Sequence, residues 1–413
     1  MTRDRDDIRH APLWVGTPAL DGVPTQLIVK GQGVIEMTIA DPQAPLRLTL
    51  SAAAGVEGAA GANRIHLEVE PERVRIHDDH GEIEASAEGA GAGLDRDPSC
   101  PYWFSLDAQN RRLRYGKGEL RLDTVELEAP IPGPVGQRQN PGLWVFELSQ
   151  LQGENVAAAT VWRDPLAAPL PLVVIPTDAM TLDTVATHGA IAPTDLAVEA
   201  QRLHGTISGR LFSLDTPDFP DFTTAIESSI ADPEGWCHRT LAAKASEFGD
   251  PDPLATYLRI TLGENQGESP GIPYVLEIWP PNHRSPIHNH AGAHAVIRVL
   301  HGTITVSLYP MLSTEHQTPF ASQAFPAGSI TWISPRLNQI HRLHNANVNG
   351  PTCITIQCYA YGGLEDRAHY EYFDYIDNSG QAIGHFDPNS DMEFMAFKAL
   401  MRQEWQARQG RLG

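Results

Sequence analysis

The 413-residue chain has only four cysteines, Cys100, Cys237, Cys353 and Cys358. None forms a Cys-x-x-Cys pair, which excludes a zinc ribbon or a thioredoxin-type motif and offers no disulfide framework. The pattern suits a reducing, cytoplasmic setting. Basic residues are scarce, with 30 Lys and Arg against 51 Asp and Glu for a net charge of −21. The deficit divides as −13 over residues 1–200 and −8 over the rest. A surface this acidic repels phosphate backbones and anionic lipid, so nucleic acid and membrane are poor partners. No stretch approaches the eighteen or so uninterrupted apolar residues of a membrane-spanning helix. The opening Met-Thr-Arg-Asp-Arg-Asp-Asp has no apolar run behind it, so no secretory leader is expected.

Glycine and proline are plentiful, 35 and 33 of them. That favours a turn-rich, mainly β protein over a helical bundle, and the length suggests two or three domains. Residues 1–9 are charged and aperiodic and are read as a loose tail. From 10 to 156 the runs Leu46-Arg-Leu-Thr-Leu, Arg64-Ile-His-Leu-Glu-Val-Glu, Val74-Arg-Ile-His, Glu119-Leu-Arg-Leu-Asp and Val125-Glu-Leu-Glu alternate with period two. Turn clusters separate them, which predicts a β-sandwich-like domain of unknown role. Tyr102-Trp-Phe-Ser-Leu-Asp reads as a strand whose aromatics serve the core, and 85–93 as a loop.

Residues 157–209 are proline-punctuated and read as a connector, with a helix opening near Ala192-Pro-Thr-Asp. Residues 210–413 read as a separate domain. Short helices fall at 221–230 and 236–248, strands follow Pro253, and an amphipathic helix closes the chain over 392–409. His301-Gly302 between two strands predicts a hairpin turn.

The chemistry concentrates in Pro286-Ile-His288-Asn-His290. On a strand, residues two apart share a face, so both imidazoles enter one interior. His341 follows about fifty residues later, in His341-Arg-Leu-His-Asn345. Three neutral imidazoles form a facial set that leaves open positions on a transition metal. Against this stands the possibility that each is a satisfied core histidine, which the joint spacing with Gly302 disfavours.

This spacing resembles the two cupin motifs, and more closely the thiol dioxygenases, cysteine dioxygenase above all. The resemblance covers about residues 210–380, roughly 40% of the chain, and implies a jelly-roll β-barrel with a short helical cap. Where the general cupin motif carries a glutamate ligand, seven residues before the closing glycine, this chain has Ala295. The implied ligand set is therefore His288, His290 and His341 around Fe(II), as in thiol dioxygenases. Tyr257-Leu-Arg259 is similar to the family's Tyr-x-Arg, which implies that Arg259 grips a substrate carboxylate beside Tyr257. Trp279-Pro-Pro-Asn-His283 falls at the family's pocket-flanking Trp and His. With one inserted residue, Thr355-x-Gln357-x-Tyr359 overlays its Ser-x-His-x-Tyr relay, which makes Tyr359 the catalytic phenol and Thr355 and Gln357 its supports.

Two positions depart from the family. Some members carry a cysteine at the place of Ala295 and crosslink it to the active-site tyrosine, which cannot happen here. The relay histidine is Gln357, which can donate a hydrogen bond to Tyr359 but cannot titrate near neutral pH. The resemblance implies O2-dependent oxidation of a small thiol to its sulfinic acid, L-cysteine first. Another thiol such as 3-mercaptopropionate or cysteamine, a diverged product, a metal-binding cupin without turnover and a metal-free cupin isomerase remain open. His294, His301 and His344 read as solvent-facing or as neighbours of the ligands, and Cys353 and Cys358 as small apolar residues.

Overall fold

The computed structural model describes residues 16–18, 25–53, 63–89, 91–133, 143–209, 212–262, 274–360, 373–386 and 388–412. The expected tail over 1–9 lies outside them. The architecture is mainly β and divides into two compact units, Met1–Leu170 and Pro171–Gly413.

The first unit holds two six-stranded sheets, antiparallel throughout. Period-two alternation builds them. In Leu46–Ala52 the side chains of Leu46, Leu48 and Leu50 are buried while Arg47 is exposed, and Ile65–Glu70 pairs with Arg73–Asp78 so that Leu67 lies opposite Ile76. Tyr102–Asp107 is buried along its whole length, so its aromatics are core rather than groove. Two segments differ from the sequence expectation. Glu84–Glu88 is an edge strand paired with Arg73–Asp78, because its small side chains still alternate along the pleat. Val156–Trp162 pairs with Gln32–Ile39, burying Val161 and Trp162 in the first unit.

In the second unit, Val173–Val174, Ile330–Ile333, His294–His301, Cys353–Ala360, Tyr274–Trp279, Leu258–Thr261 and Met392–Glu393 form one sheet in that order. A second sheet runs Ala321–Pro326, Thr303–Leu308, His341–His344, Ile287–His288, Phe373–Ile376, Ile383–Phe386. Helices Phe222–Ala231, Trp236–Ala243 and Phe394–Leu412 pack on one face of the first of these sheets. There Leu258, Ile260, Leu276, Ile278, Ile354 and Ile356 meet Phe222, Leu241, Phe397 and Met401. A further helix, Val198–Ile207, lies against His294–His301 and Cys353–Ala360.

Gly302 is not a hairpin turn. The strands on either side of it, His294–His301 and Thr303–Leu308, belong to different sheets, so Gly302 is the corner where the chain crosses between them. Its φ is +69°, and a Cβ there would stand 2.8 Å from the Thr352 carbonyl oxygen and 2.9 Å from Cys353 Cα. Both conditions require glycine.

Candidate metal centre

The Ile287–His288 strand is only two residues long, and it pairs His288 directly opposite His341. His290 therefore does not reach the interior by strand alternation. A turn brings it in, through the left-handed residues Ala291 (φ 49°) and Gly292 (φ 77°), closed by the Ala293 N–H donating to the His290 carbonyl at 2.8 Å. The Gln339 side chain pins this turn from both sides. Its carbonyl oxygen accepts the His290 backbone N–H at 3.1 Å, and its amide donates to the Ala293 and Ser334 carbonyls.

The three rings converge with centroids 4.6–4.9 Å apart. One nitrogen from each lies within 4.8 Å of the others. Tautomers follow from the partners, since a carbonyl can only accept. His288 Nδ1 donates to the Pro286 carbonyl at 3.0 Å, and His341 Nδ1 donates to the Asn338 carbonyl at 3.1 Å. Each neutral ring is left with a bare Nε2 lone pair, the arrangement usual in metal-binding histidines. His290 Nε2 lies 3.2 Å from His341 Nε2.

Burial, reinforced by neighbouring His341, lowers the His288 pKa to about 3. Burial likewise takes His341 to about 4 and holds His290 well below the usual imidazole range. The rings are thus neutral near pH 7 and present lone pairs to a cation. A soft-to-borderline, all-nitrogen donor set of this kind fits a transition metal such as Fe(II) and suits Ca2+ or Mg2+ poorly.

Beside the imidazoles runs a polar chain built by register. Arg259, Glu277 and Thr355 face one another across three adjacent strands. Arg259 Nη1 donates to Glu277 Oε1 at 3.1 Å, with both side chains almost fully buried. Gln357 Nε2 donates to the other carboxylate oxygen of Glu277, and the Tyr359 hydroxyl donates to Gln357 Oε1. Thr355 Oγ1 lies 3.4 Å from the same Gln357 nitrogen. The Tyr359 ring stacks on His290 at 5.5 Å, and the Arg259 guanidinium lies 5.8 Å from the Tyr359 ring centre. Burial pushes the Glu277 carboxyl up to about 7, against the opposing pull of the Arg259 and Lys244 cations and the Gln357 hydrogen bond.

Of the residues singled out in the sequence, His288, His290, His341, Arg259, Thr355, Gln357 and Tyr359 come together here. Tyr257 and Trp279 stack on each other at 4.2 Å within the neighbouring apolar cluster. His283 is tied elsewhere, donating from Nδ1 to the Thr256 carbonyl at 2.9 Å. Gln357 does not donate to Tyr359 as expected: its amide N–H is drawn to Glu277, which leaves only its carbonyl for the phenol. Ala295 lies directly opposite Tyr359 in the strand register, and its methyl group offers nothing to crosslink. His294 is buried rather than solvent-facing, 3.8 Å from Glu199 on the Val198–Ile207 helix. Cys353 and Cys358 are buried, and burial raises both thiols far from reactivity.

Sequence reasoning passed over Glu277, Asn338, Gln339 and Phe373, whose ring lies 4.4 Å from His290. For Glu277 a signal existed. Tyr274-Val-Leu-Glu-Ile-Trp is apolar on both faces apart from that one carboxylate, and a charge inside such a strand is rarely buried without a partner.

No protein-family model matches the chain. Among solved structures, an oxalate oxidase in complex with the substrate analogue glycolate is 17% identical, over 27% of this chain and 54% of its own, with a TM-score of 0.22. The chain thus spans about half the length of that protein. The Cupin_2 domain of an XRE-family transcriptional regulator from Enterobacter cloacae is 12% identical over 26% of this chain and 98% of its own, TM-score 0.21. An uncharacterized protein with a double-stranded β-helix domain from Klebsiella pneumoniae is 18% identical over 29% and 88%, TM-score 0.21. Likenesses at such scores say nothing of the reaction. What stands on the geometry is a mainly β protein with a buried three-histidine cluster suited to a metal ion.

Proposed function

We propose that the chain is a non-haem Fe(II)-dependent dioxygenase that oxidises a small thiol, L-cysteine first, to its sulfinic acid on a cupin-type C-terminal half. The reaction balances as RSH + O2 giving RSO2H, both oxygen atoms entering the product. The observation that carries the reading is the buried set of three neutral imidazoles, without a carboxylate ligand, next to Arg259 and Tyr359. When bound, Fe(II) supplies a cation that lowers the thiol pKa and a redox partner for O2.

The chain's own residues do the rest. Pro286 and Asn338 hold two imidazoles in the ligating tautomer, and Gln339 holds the third in place. Arg259 meets the substrate carboxylate and sets its orientation while Nη1 stays on Glu277. Tyr359 turns its oxygen lone pairs to the substrate, because its single proton is held by Gln357. Phe373 and the cluster of Val275, Ala295, Ile297 and Ile333 exclude water. Tyr257 and Trp279 stiffen the wall on which Arg259 stands. All these residues lie in 257–373, inside the second unit. A cytoplasmic setting agrees with four buried, unpaired cysteines. Among the described residues no helix is long and apolar enough to cross a membrane.

The test is anaerobic loading with Fe(II), then a panel of cysteine, cysteamine and 3-mercaptopropionate read by oxygen uptake and product mass. A gain of two oxygen atoms on the thiol is the expected result. Iron binding without oxygen uptake on any thiol would leave a metal-binding protein and no dioxygenase.

A further inference from the structure

Glu277 is a buried charge near the imidazoles to which the proposed reaction assigns no task. Both of its carboxylate oxygens are engaged, one by Arg259 Nη1 at 3.1 Å and the other by the Gln357 amide. The pairing is built into the sheet, since Arg259 and Glu277 are direct cross-strand partners. Glu277 therefore stands on the same guanidinium that would receive a substrate carboxylate. That guanidinium borders Tyr359, and Tyr359 borders His290, so the ion pair is one ring removed from the candidate metal ligands.

We propose that Glu277 is a specificity-determining residue, turning the site away from thiols whose other charged group is a carboxylate and toward thiols that carry an amine. The inference rests on the thiol reading above. An arginine already paired with a buried carboxylate still orients a second anion but pulls it less strongly than an unpaired guanidinium would. A carboxylate docking on it must also approach Glu277, and like charges repel strongly where water is excluded. A substrate ammonium meets the opposite field and is drawn to the same carboxylate. 3-Mercaptopropionate brings a carboxylate alone, cysteamine an ammonium alone and cysteine both. The resulting order places cysteamine and cysteine ahead of 3-mercaptopropionate.

The test measures dissociation constants by calorimetry on the full-length, Fe(II)-loaded protein under anaerobic conditions at pH 8, where Glu277 is largely ionised. Cysteamine is expected to bind the parent protein about tenfold or more tightly than 3-mercaptopropionate. In Glu277→Gln and Glu277→Leu, 3-mercaptopropionate should gain about tenfold while cysteamine binds more weakly than to the parent. A merely structural role would weaken all the thiols together and leave their ratio unchanged, and that result overturns the proposal. So does tighter binding of 3-mercaptopropionate than of cysteamine by the parent, a comparison that stands even if neither variant folds. Should no thiol bind at all, the thiol reading falls by itself. The Glu277 reading is then decided by propionate against ethylammonium on the same protein, preference for propionate overturning it.

Discussion

Gln357 accepts the hydroxyl proton of Tyr359, so the one proton of the phenol is directed into the protein and not toward a ligand. Glu277 sets this direction. Above its raised pKa of about 7 the carboxylate is ionised and can only accept, so it takes the Gln357 N–H and leaves the amide oxygen facing the phenol. A histidine at the same position would be free to donate or accept. Glutamine beside a carboxylate lacks that freedom, and the Tyr359 oxygen keeps its lone pairs available on the side away from Gln357.

The metal site gives the first expectation. Purified protein loaded anaerobically should hold about one Fe(II) per chain, the stoichiometry of a single three-histidine site. His288→Ala, His290→Ala or His341→Ala should each abolish retention through gel filtration, read by elemental analysis. Unchanged iron in all three would remove the site.

Arg259 and Glu277 should behave as a buried pair. Arg259→Ala leaves the Glu277 carboxylate without its cation and should cost about 3–5 kcal/mol of stability. Combining Arg259→Ala with Glu277→Leu should recover more than half of that loss. Additive losses in urea denaturation would show that the two side chains do not interact.

The pH dependence of stability has a definite sign. Burial raises the Glu277 carboxyl from 4.5 to about 7, so the folded protein binds its proton more tightly than the unfolded chain. The corresponding stability is complete below pH 4.5 and is lost as pH rises through about 7. Glu277→Gln should flatten this fall between pH 5 and 8 in melting curves, and a slope identical to that of the parent would contradict the assignment.

At the corner between the two C-terminal sheets, Gly302→Ala combines a left-handed φ with a backbone clash. A loss of about 2 kcal/mol or more is expected, together with weaker iron retention, because Thr303–Leu308 pairs with the His341–His344 strand. A melting temperature within a degree of the parent would show that the corner relaxes.

A chain beginning at Pro171 should keep iron binding, since His288, His290 and His341 and, among the described residues, their partners Pro286, Asn338, Gln339 and Phe373 lie beyond it. Beginning near Gly205 should fail. That cut removes most of the Val198–Ile207 helix, whose Leu203 and Ile207 are buried and whose Ile207 carbonyl accepts Arg298 Nη1 at 2.9 Å. Equal solubility and iron content of the two would show that the helix is dispensable.

Much of this protein was legible in its sequence because the relevant signals are local. Alternation of apolar and polar residues determined the strands, as in Leu46–Ala52 and Ile65–Glu70, since neighbouring side chains on a pleated strand point to opposite faces. The three-histidine cluster was legible too, because His288, His290 and His341 sit in patterns a few residues long whose neutral imidazoles have one shared chemistry. What the sequence could not determine depends on register and on turns. The His-x-His spacing does not say that His290 arrives by a left-handed turn at Ala291 and Gly292. The run His301-Gly302-Thr303 does not say that its flanking strands join different sheets. Most of all, Arg259 and Glu277 are eighteen residues apart, and Glu277 and Gln357 eighty. Only the pairing of three strands brings them together, and with them decides the buried charge beside Tyr359 and the direction of its proton. Hydrogen bonds and ion pairs of this kind are set by which residues the sheet places opposite one another, a non-local property that no short stretch of sequence contains.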